Sequence, residues 1–243
     1  LVAASNLTLS LKLWDWCAAQ GVQLIYASSA ATYGDGDQGF EDGETPEELA
    51  RLKPLNLYGW SKHAFDRRVA QMLQLGRPRP PQWAGLKFFN VYGPREGHKG
   101  RMASVALHKY REILTGAPAR LVAWDREGIA DGMRARDFVD VHDCVRVMLW
   151  LLDHPGVSGL FNCGSGQARS FLDLTRAVFA ALKLPEHIEF MPMPADLRGK
   201  YQYFTEAPMA KLRQAGYPHP PTPLGCGVAG YVAWLRAADS CRL

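Results

Sequence analysis

Hydrophobic positions along the chain follow two alternating patterns: short continuous apolar runs, and apolar residues spaced three or four positions apart. The short runs predict buried strands at residues 22–27, 86–89, 121–124, 138–141, 160–163 and 188–191. The helical spacing predicts helices at residues 6–20, 56–75, 102–114, 143–153, 171–182, 209–215 and 224–235. Strands that alternate with helices are typical of an α/β fold with a largely parallel sheet.

The strand predicted at 22–27 is followed directly by two serines, Ser28 and Ser29. Ligands of open α/β sheets bind at the carboxyl ends of the strands, so either hydroxyl is a candidate for a binding site. The serines can equally serve only to cap the strand end. The Gly-, Asp- and Glu-rich stretch at 34–48 predicts a surface loop, and so does the Pro-rich stretch at 76–81.

The helix predicted at 56–75 carries Tyr58 and Lys62, which are four positions apart and share one face. A free phenol has a pKa of about 10 and is a poor base at neutral pH. An ammonium about 4 Å away, at an effective dielectric constant near 20, favours the phenolate by roughly 4 kcal/mol. That energy is about three pKa units, enough for proton transfer near neutral pH. With a serine to hold the same oxygen, the pair suits removal of an alcohol proton, although this spacing also occurs by chance.

Composition narrows the functional classes. The chain has 243 residues, of which 47% are hydrophobic and 21% charged, which is ordinary for a globular protein. A net charge of +4, with scattered basic residues, gives no support for nucleic-acid binding. No apolar run reaches membrane-spanning length. The five widely spaced cysteines predict reduced thiols of a cytoplasmic protein, with neither a disulfide framework nor a metal site.

A glycine-rich turn that could cradle a dinucleotide pyrophosphate is not evident. Residues 34–39 fit the pattern GxGxxG, but Asp35 and Asp37 would repel a pyrophosphate and no helix is predicted to follow directly. Residues 164–169 lie between a strand and a helix but lack the third glycine, so they are expected to line a ligand cleft instead. Since the chain begins at Leu1 and its first methionine is Met72, we expect the natural protein, including this turn, to start upstream.

Three segments resemble motifs of the extended short-chain dehydrogenase/reductase family. They are Tyr-Ala-Ser-Ser-Ala-Ala-Thr-Tyr-Gly (26–34), Pro-Leu-Asn-Leu-Tyr-Gly-Trp-Ser-Lys (54–62) and Phe-Phe-Asn-Val-Tyr-Gly-Pro-Arg-Glu-Gly-His-Lys-Gly (88–100). The resemblance covers residues 6–235, and its most specific part is Gly-His-Lys at 97–99. It implies a partial Rossmann-type parallel sheet with a smaller C-terminal substrate-binding domain. Residues 1–91 and about 137–165 would belong to the dinucleotide-binding domain, and 92–136 and 166–243 to the substrate-binding domain.

The resemblance also implies roles for individual residues. Ser29, Tyr58 and Lys62 match the catalytic serine, tyrosine and lysine, and Lys99 matches a second acid/base on the opposite side of the sugar. The implied cofactor-binding residues are Asn6, Tyr58, Lys62, Val91 and Lys99. The implied substrate-binding residues are Asn90, Arg101, His108, Val122, Ala123, Trp124, Asp125, Arg136 and Tyr201.

Structural alternatives stay open for several of these residues. Lys99 can be a solvated loop charge, and His108 can be a packed core residue. Arg136 can pair with the neighbouring Asp137, and Tyr201 can be a surface aromatic. Arg101 stands where a small serine is expected, and the segment 122–125 departs from the more usual aromatic and basic sequence.

The reaction implied is inversion of C6″ of ADP-D-glycero-D-manno-heptose by transient oxidation with bound NADP, NAD not being excluded, in lipopolysaccharide inner-core synthesis. The partners implied are a nucleotide-sugar substrate and further copies of the chain. One alternative is a UDP-hexose 4-epimerase type of enzyme, and another is an inactive truncated fragment. A dehydratase is disfavoured because Ala30 and Ala31 replace its acidic pair.

Overall fold

The computed structural model describes residues 4–123, 131–192 and 204–240. The chain forms two compact units. The first comprises Leu1–Phe89, Val145–Cys163 and Ala207–His219, and the second comprises Asn90–Cys144, Gly164–Glu206 and Pro220–Leu243. The predicted division differs mainly in two segments: it places 207–219 with the substrate-binding part and 137–144 with the dinucleotide-binding part. The assignment of binding roles stays a prediction.

The first unit is built around a parallel sheet of three strands, β1 (Leu24–Ser29), β2 (Trp83–Phe88) and β6 (Gly159–Cys163). Their order in the sheet is β1-β2-β6. Its helices are α1 (Leu9–Gln20), α2 (Pro46–Ala50), α3 (Leu57–Gln74), α7 (Ala210–Gln214) and the part of α5 (Val141–Asp153) from Val145 onward. A π-helical turn (Ala4–Thr8) precedes α1, and a 3₁₀ turn (Ala30–Tyr33) follows β1.

The core of the first unit lies under α1 and α3. Trp14 of α1 packs against Phe65 of α3 and Trp83 of β2, with ring centroids 6.5 and 5.9 Å away. The parallel register pairs Ser28 with Lys87 and Ser29 with Phe88. The carboxyl ends of β1 and β2 therefore lie side by side, as a ligand-binding edge requires.

The described residues of the second unit form two small sheets. One has the order β3-β5-β7, with β3 (Asn90–Tyr92) parallel to β5 (Ala135–Asp140) and β7 (Ala168–Ser170) antiparallel to it. The other pairs β4 (Ala119–Val122) with β8 (Ile188–Met191) in parallel. Its helices include α4 (Val105–Leu114), α6 (Phe171–Leu182) and α8 (Leu224–Ser240), which pack around a core of aromatic and aliphatic residues.

The α/β class with a parallel sheet is confirmed, while several local predictions are corrected. The predicted loop at 34–48 contains the start of α2, where Thr45 and Glu48 form a capping box and Pro46 occupies the first helical position. Helix α4 begins only at Val105, because Ser104 caps it and a separate 3₁₀ turn (Gly97–Met102) precedes it. Strands β3 and β7 were not predicted, since each has only three residues. None of the helices within the described ranges has the length and apolar character that a membrane crossing requires.

Candidate active site

The two serines at the end of β1 have different environments. Ser28 is buried, and its hydroxyl donates a hydrogen bond to the Asp66 carboxylate, with an Oγ–Oδ2 distance of 2.6 Å. Ser29 is half-buried, and its Oγ accepts a hydrogen bond from the backbone N–H of Ala31 at 3.1 Å. That bond uses a lone pair and leaves the Ser29 O–H able to donate to a ligand. Ser29 therefore caps a turn and can also bind a substrate oxygen.

Tyr58 lies in the first turn of α3, which packs against the turn that follows β1. The side chain of Asn56 caps this helix by accepting a hydrogen bond from the N–H of Gly59 at 2.9 Å. A Cβ atom at Gly59 would lie 2.7 Å from the carbonyl oxygen of Ala31, so only glycine permits this close approach. Tyr58 is 47% exposed, which leaves its ring accessible at this end of the helix.

Lys62 lies one turn after Tyr58 and reaches back to strand β1. Its Nζ donates a hydrogen bond to the carbonyl oxygen of Ala27 at 2.9 Å. Partial burial lowers the pKa of Lys62, and the nearby Asp66 carboxylate opposes that effect. A cation is thus held at the carboxyl end of β1, on the helix face that also carries Tyr58.

Asn6 joins this group through a relay of hydrogen bonds. Its amide Nδ2 donates to the hydroxyl of Ser61 at 2.9 Å, and that hydroxyl donates to the carbonyl oxygen of Tyr58 at 2.7 Å. The structure therefore gathers four predicted site residues, Asn6, Ser29, Tyr58 and Lys62, around the start of α3.

A buried ion pair that the sequence analysis missed is linked to Ser29 through Thr32. Lys87 of β2 and Asp66 of α3 have fully buried side chains, with an Nζ–Oδ2 distance of 3.2 Å. Lys87 also donates to the hydroxyl of Thr32 at 2.8 Å. The one signal in the sequence was Lys87 itself, which lies within the apolar run of a predicted strand. A charge in such a position needs a buried partner, because an unpaired buried charge is rarely tolerated.

In the second unit, the predicted residues on strands have distinct surroundings. Asn90 and Val91 lie on β3, where Asn90 is exposed and Val91 is half-buried. Arg136 of β5 is buried, donates to the carbonyl oxygen of Ala135 at 2.9 Å, and lies 5.7 Å from the centre of the Phe171 ring. This cation over an aromatic face contributes to holding the guanidinium in place.

Asp137 organises the glycine-containing turn at 164–169. Its carboxylate accepts hydrogen bonds from the N–H and hydroxyl of Ser165, at 2.6 and 2.8 Å, and from the N–H of Gly166 at 2.9 Å. Three bonds to a fully buried carboxylate fix the turn next to Arg136. Whether the turn lines a ligand cleft stays a prediction.

The Gly-His-Lys segment is anchored by Glu96, which is 4% exposed. The Glu96 carboxylate accepts hydrogen bonds from the N–H of Ser104 at 2.7 Å, its hydroxyl at 2.5 Å, and the hydroxyl of Tyr231 at 2.9 Å. The N–H of Lys99 donates to the Glu96 carbonyl at 3.0 Å. The side chains of Lys99 and Arg101 are exposed on this anchored turn.

A cavity of about 180 Å³ in the second unit touches the predicted nucleotide-sugar segment. Val122 lies on its wall, and Ala123 is fixed beside it by donating its N–H to the Met191 carbonyl at 2.7 Å. His108 is half-buried on α4, the helix that supplies part of the wall. Trp124, Asp125 and Tyr201 lie outside the described residues. The lining combines apolar and cationic side chains: Val105, Lys109, Arg120, Leu121, Val122, Gly132, Arg134 and Phe171.

Comparisons with known proteins identify the family to which the chain belongs. The model of the NAD dependent epimerase/dehydratase family matches residues 1–164. An ADP-L-glycero-D-manno-heptose-6-epimerase of Nitratidesulfovibrio vulgaris is 50% identical over 97% of this chain and 71% of the relative. One of Fusobacterium nucleatum is 46% identical over 94% of this chain and 70% of the relative.

Solved structures show the same architecture. The Thermus thermophilus UDP-glucose 4-epimerase in complex with NAD is 28% identical, with a TM-score of 0.73 over 96% of this chain and 70% of the other. The Helicobacter pylori ADP-L-glycero-D-manno-heptose-6-epimerase shares the fold, with a TM-score of 0.72 and 24% identity. The alignment covers 96% of this chain and 66% of that enzyme. The resemblance identified from the motifs is therefore confirmed, and the chain belongs to the NAD dependent epimerase/dehydratase family.

Proposed function

We propose that this protein inverts C6″ of ADP-D-glycero-D-manno-heptose by oxidising that carbon and reducing it again with a bound nicotinamide cofactor. The observation that carries the proposal is the 46–50% identity with heptose 6-epimerases over almost the whole chain. The clustering of Ser29, Tyr58 and Lys62 supports it independently. A C–H bond that is not next to a carbonyl is not acidic, so proton transfer alone cannot invert this centre.

The donor groups of the first unit fit a nicotinamide cofactor. The Lys62 ammonium has three N–H donors and uses one on Ala27, so two can bind hydroxyl groups of a cofactor. The cofactor supplies hydride transfer when bound. We assign its binding to Asn6, Tyr58, Lys62, Val91 and Lys99.

Tyr58 is proposed as the base that removes the hydroxyl proton during oxidation. Lys62 lies one turn away on the same helix face, and the Ser29 hydroxyl is proposed to donate to the same substrate oxygen. A bound nicotinamide cofactor would accept the hydride from that carbon as Tyr58 takes the proton, which would leave a planar ketone. Tyr58 is exposed, as a residue that contacts substrate must be.

Lys99 is proposed as the second acid/base, which would give a proton to the carbonyl oxygen when the ketone is reduced on its other face. Its anchoring through Glu96 leaves the ammonium exposed on a fixed turn. A full cycle has no net oxidation or reduction, so the cofactor is expected to stay bound.

Substrate binding is assigned to the second unit. The proposed residues are Asn90, Arg101, His108, Val122, Ala123, Trp124, Asp125, Arg136 and Tyr201. The cavity beside Val122 supports this assignment, because its apolar wall suits a base and the exposed Arg120 of its lining suits a phosphate group.

The finer details of the proposal are NADP as the preferred form of the cofactor, homo-oligomeric assembly, a cytoplasmic location and a role in lipopolysaccharide inner-core heptose synthesis. NADP and NAD are distinguished by releasing the cofactor from the purified protein and identifying it by mass spectrometry. Sedimentation of the same sample reports the oligomeric state.

The direct test incubates the complete gene product and nicotinamide cofactor with ADP-D-glycero-D-manno-heptose and follows C6″ by NMR. We expect an equilibrium mixture of the D-glycero and L-glycero forms. An unchanged stereocentre in protein that retains cofactor contradicts the proposal. Interconversion of UDP-glucose and UDP-galactose instead would support the 4-epimerase alternative.

A further inference from the structure

Burial of the Lys87–Asp66 ion pair carries a large desolvation penalty, and the proposed chemistry does not use the pair directly. Both side chains are fully buried, and removing two charges from water is strongly unfavourable unless further hydrogen bonds compensate. The partners of the pair are therefore informative, because they show what the buried charges hold in place.

On the Lys87 side, the contacts lead to the backbone of Ser29. Lys87 donates to the hydroxyl of Thr32 at 2.8 Å, and that hydroxyl donates to the carbonyl oxygen of Ser29 at 2.8 Å. The Lys87 ammonium also lies 4.7 Å from the centre of the Tyr33 ring. The cation thus contacts two residues of the turn that begins directly after Ser29.

On the Asp66 side, the contacts join β1 to α3. The carboxylate accepts hydrogen bonds from the hydroxyl of Ser28 at 2.6 Å and of Tyr26 at 3.4 Å. Asp66 is one helical turn after Lys62 and two turns after Tyr58. The same carboxylate therefore ties the strand that carries Ser29 to the helix that carries the other two reactive groups.

We propose that the Lys87–Asp66 pair, acting through the hydroxyls of Thr32 and Ser28, is a positioning element that fixes Ser29 relative to Tyr58 and Lys62. This inference rests on the proposed function for its catalytic consequence. Its structural content is separate: the pair holds the segment 28–33 in one conformation. Each group acts through the hydrogen bonds that it makes within the protein.

Thr32→Val tests the link with the smallest change, because it replaces only the hydroxyl that joins Lys87 to Ser29. Thr32→Ser keeps that hydroxyl and serves as the conservative rescue. Gln82→Leu is the matched control for loss of a buried polar group. Gln82 is as buried as Thr32, but its amide donates to the carbonyl oxygens of Leu151, His154 and Val157 instead.

Two measurements are made on the complete gene product: steady-state kinetics, and amide hydrogen exchange at Ala31, whose N–H donates to Ser29 Oγ. For Thr32→Val we expect kcat to fall about tenfold or more at nearly constant KM, because small misplacements of reacting groups are costly. We expect exchange at Ala31 to accelerate about tenfold. Thr32→Ser and Gln82→Leu are expected to change neither quantity by more than about twofold.

Parent-like kcat or parent-like exchange in Thr32→Val overturns the inference. An equal loss of kcat in Gln82→Leu also overturns it, since general stability would then explain the effect. If the parent protein does not epimerise the heptose, the proposed function fails, but exchange at Ala31 still decides whether the pair positions this segment.

Discussion

Breaking the buried Lys87–Asp66 pair provides a stability test that does not depend on substrate. The single variants are Lys87→Met and Asp66→Leu, and the double variant combines them. Each single change leaves one charge in a fully buried position without its partner. The double change replaces both by apolar side chains of similar size.

The expected magnitudes follow from the geometry. At the 3.2 Å separation of Nζ and Oδ2, the Coulomb attraction is about 5 kcal/mol for an effective dielectric constant of 20. Removal of one partner from a buried pair costs about 3–5 kcal/mol, whereas replacement of both is often close to neutral. We therefore expect each single variant to lose about 3–5 kcal/mol and the double variant to be more stable than either.

Urea unfolding followed by circular dichroism gives the free energy of unfolding of the parent, the two single variants and the double variant. These four values complete a double-mutant cycle. The control is a second cycle on Arg176 and Glu186, a pair at 3.1 Å whose side chains are about half exposed. There we expect a coupling of only about 0.2–1 kcal/mol. If the losses of Lys87→Met and Asp66→Leu simply add in the double variant, the electrostatic reasoning about the buried pair is wrong.

Three further predictions concern individual residues. Tyr58→Phe is expected to lower kcat about 10²–10⁴-fold while the protein unfolds like the parent, and near-normal turnover would reject Tyr58 as the base. Lys99→Met is expected to lower epimerisation at least about 10²-fold, and full activity would remove the second acid/base from the mechanism. Burial, reinforced by Lys87, lowers the pKa of His63 to about 4. Because the unfolded chain then binds the extra proton between about pH 4 and 6.5, stability should fall as pH decreases through that window. His63→Phe should remove about 1–2 kcal/mol of that dependence after allowance for screening, as measured by urea unfolding at several pH values.

Local pattern alone predicted much of this fold. Helix α6 and strand β8 have the predicted boundaries, and α3 differs by one residue at each end. These elements could be predicted because helical spacing and short apolar runs are visible within a few consecutive residues. The three-residue strands β3 and β7 give no such periodicity, and their existence depends on pairing with β5.

The candidate site was predictable only in part. The spacing of Tyr58 and Lys62 places them on one helix face, and the family motifs indicated Ser29. Neither signal identified the buried ion pair that is hydrogen-bonded to the residues around Ser29. Lys87 lies 21 residues from Asp66 and 55 from Thr32 along the chain, so no local pattern links them. Glu96 likewise meets Tyr231 across 135 residues.

By itself, the sequence determined the α/β class, the family and the residue types available for proton transfer. Those features depend on local periodicity and on motifs of consecutive residues. Only the tertiary structure decided that Ser28 is bonded to Asp66 while Ser29 keeps an O–H for a ligand, and that Lys87 is a buried partner of Asp66. Adjacent residues of one type are equivalent in a sequence, and burial and hydrogen bonding from distant elements give them different chemistry.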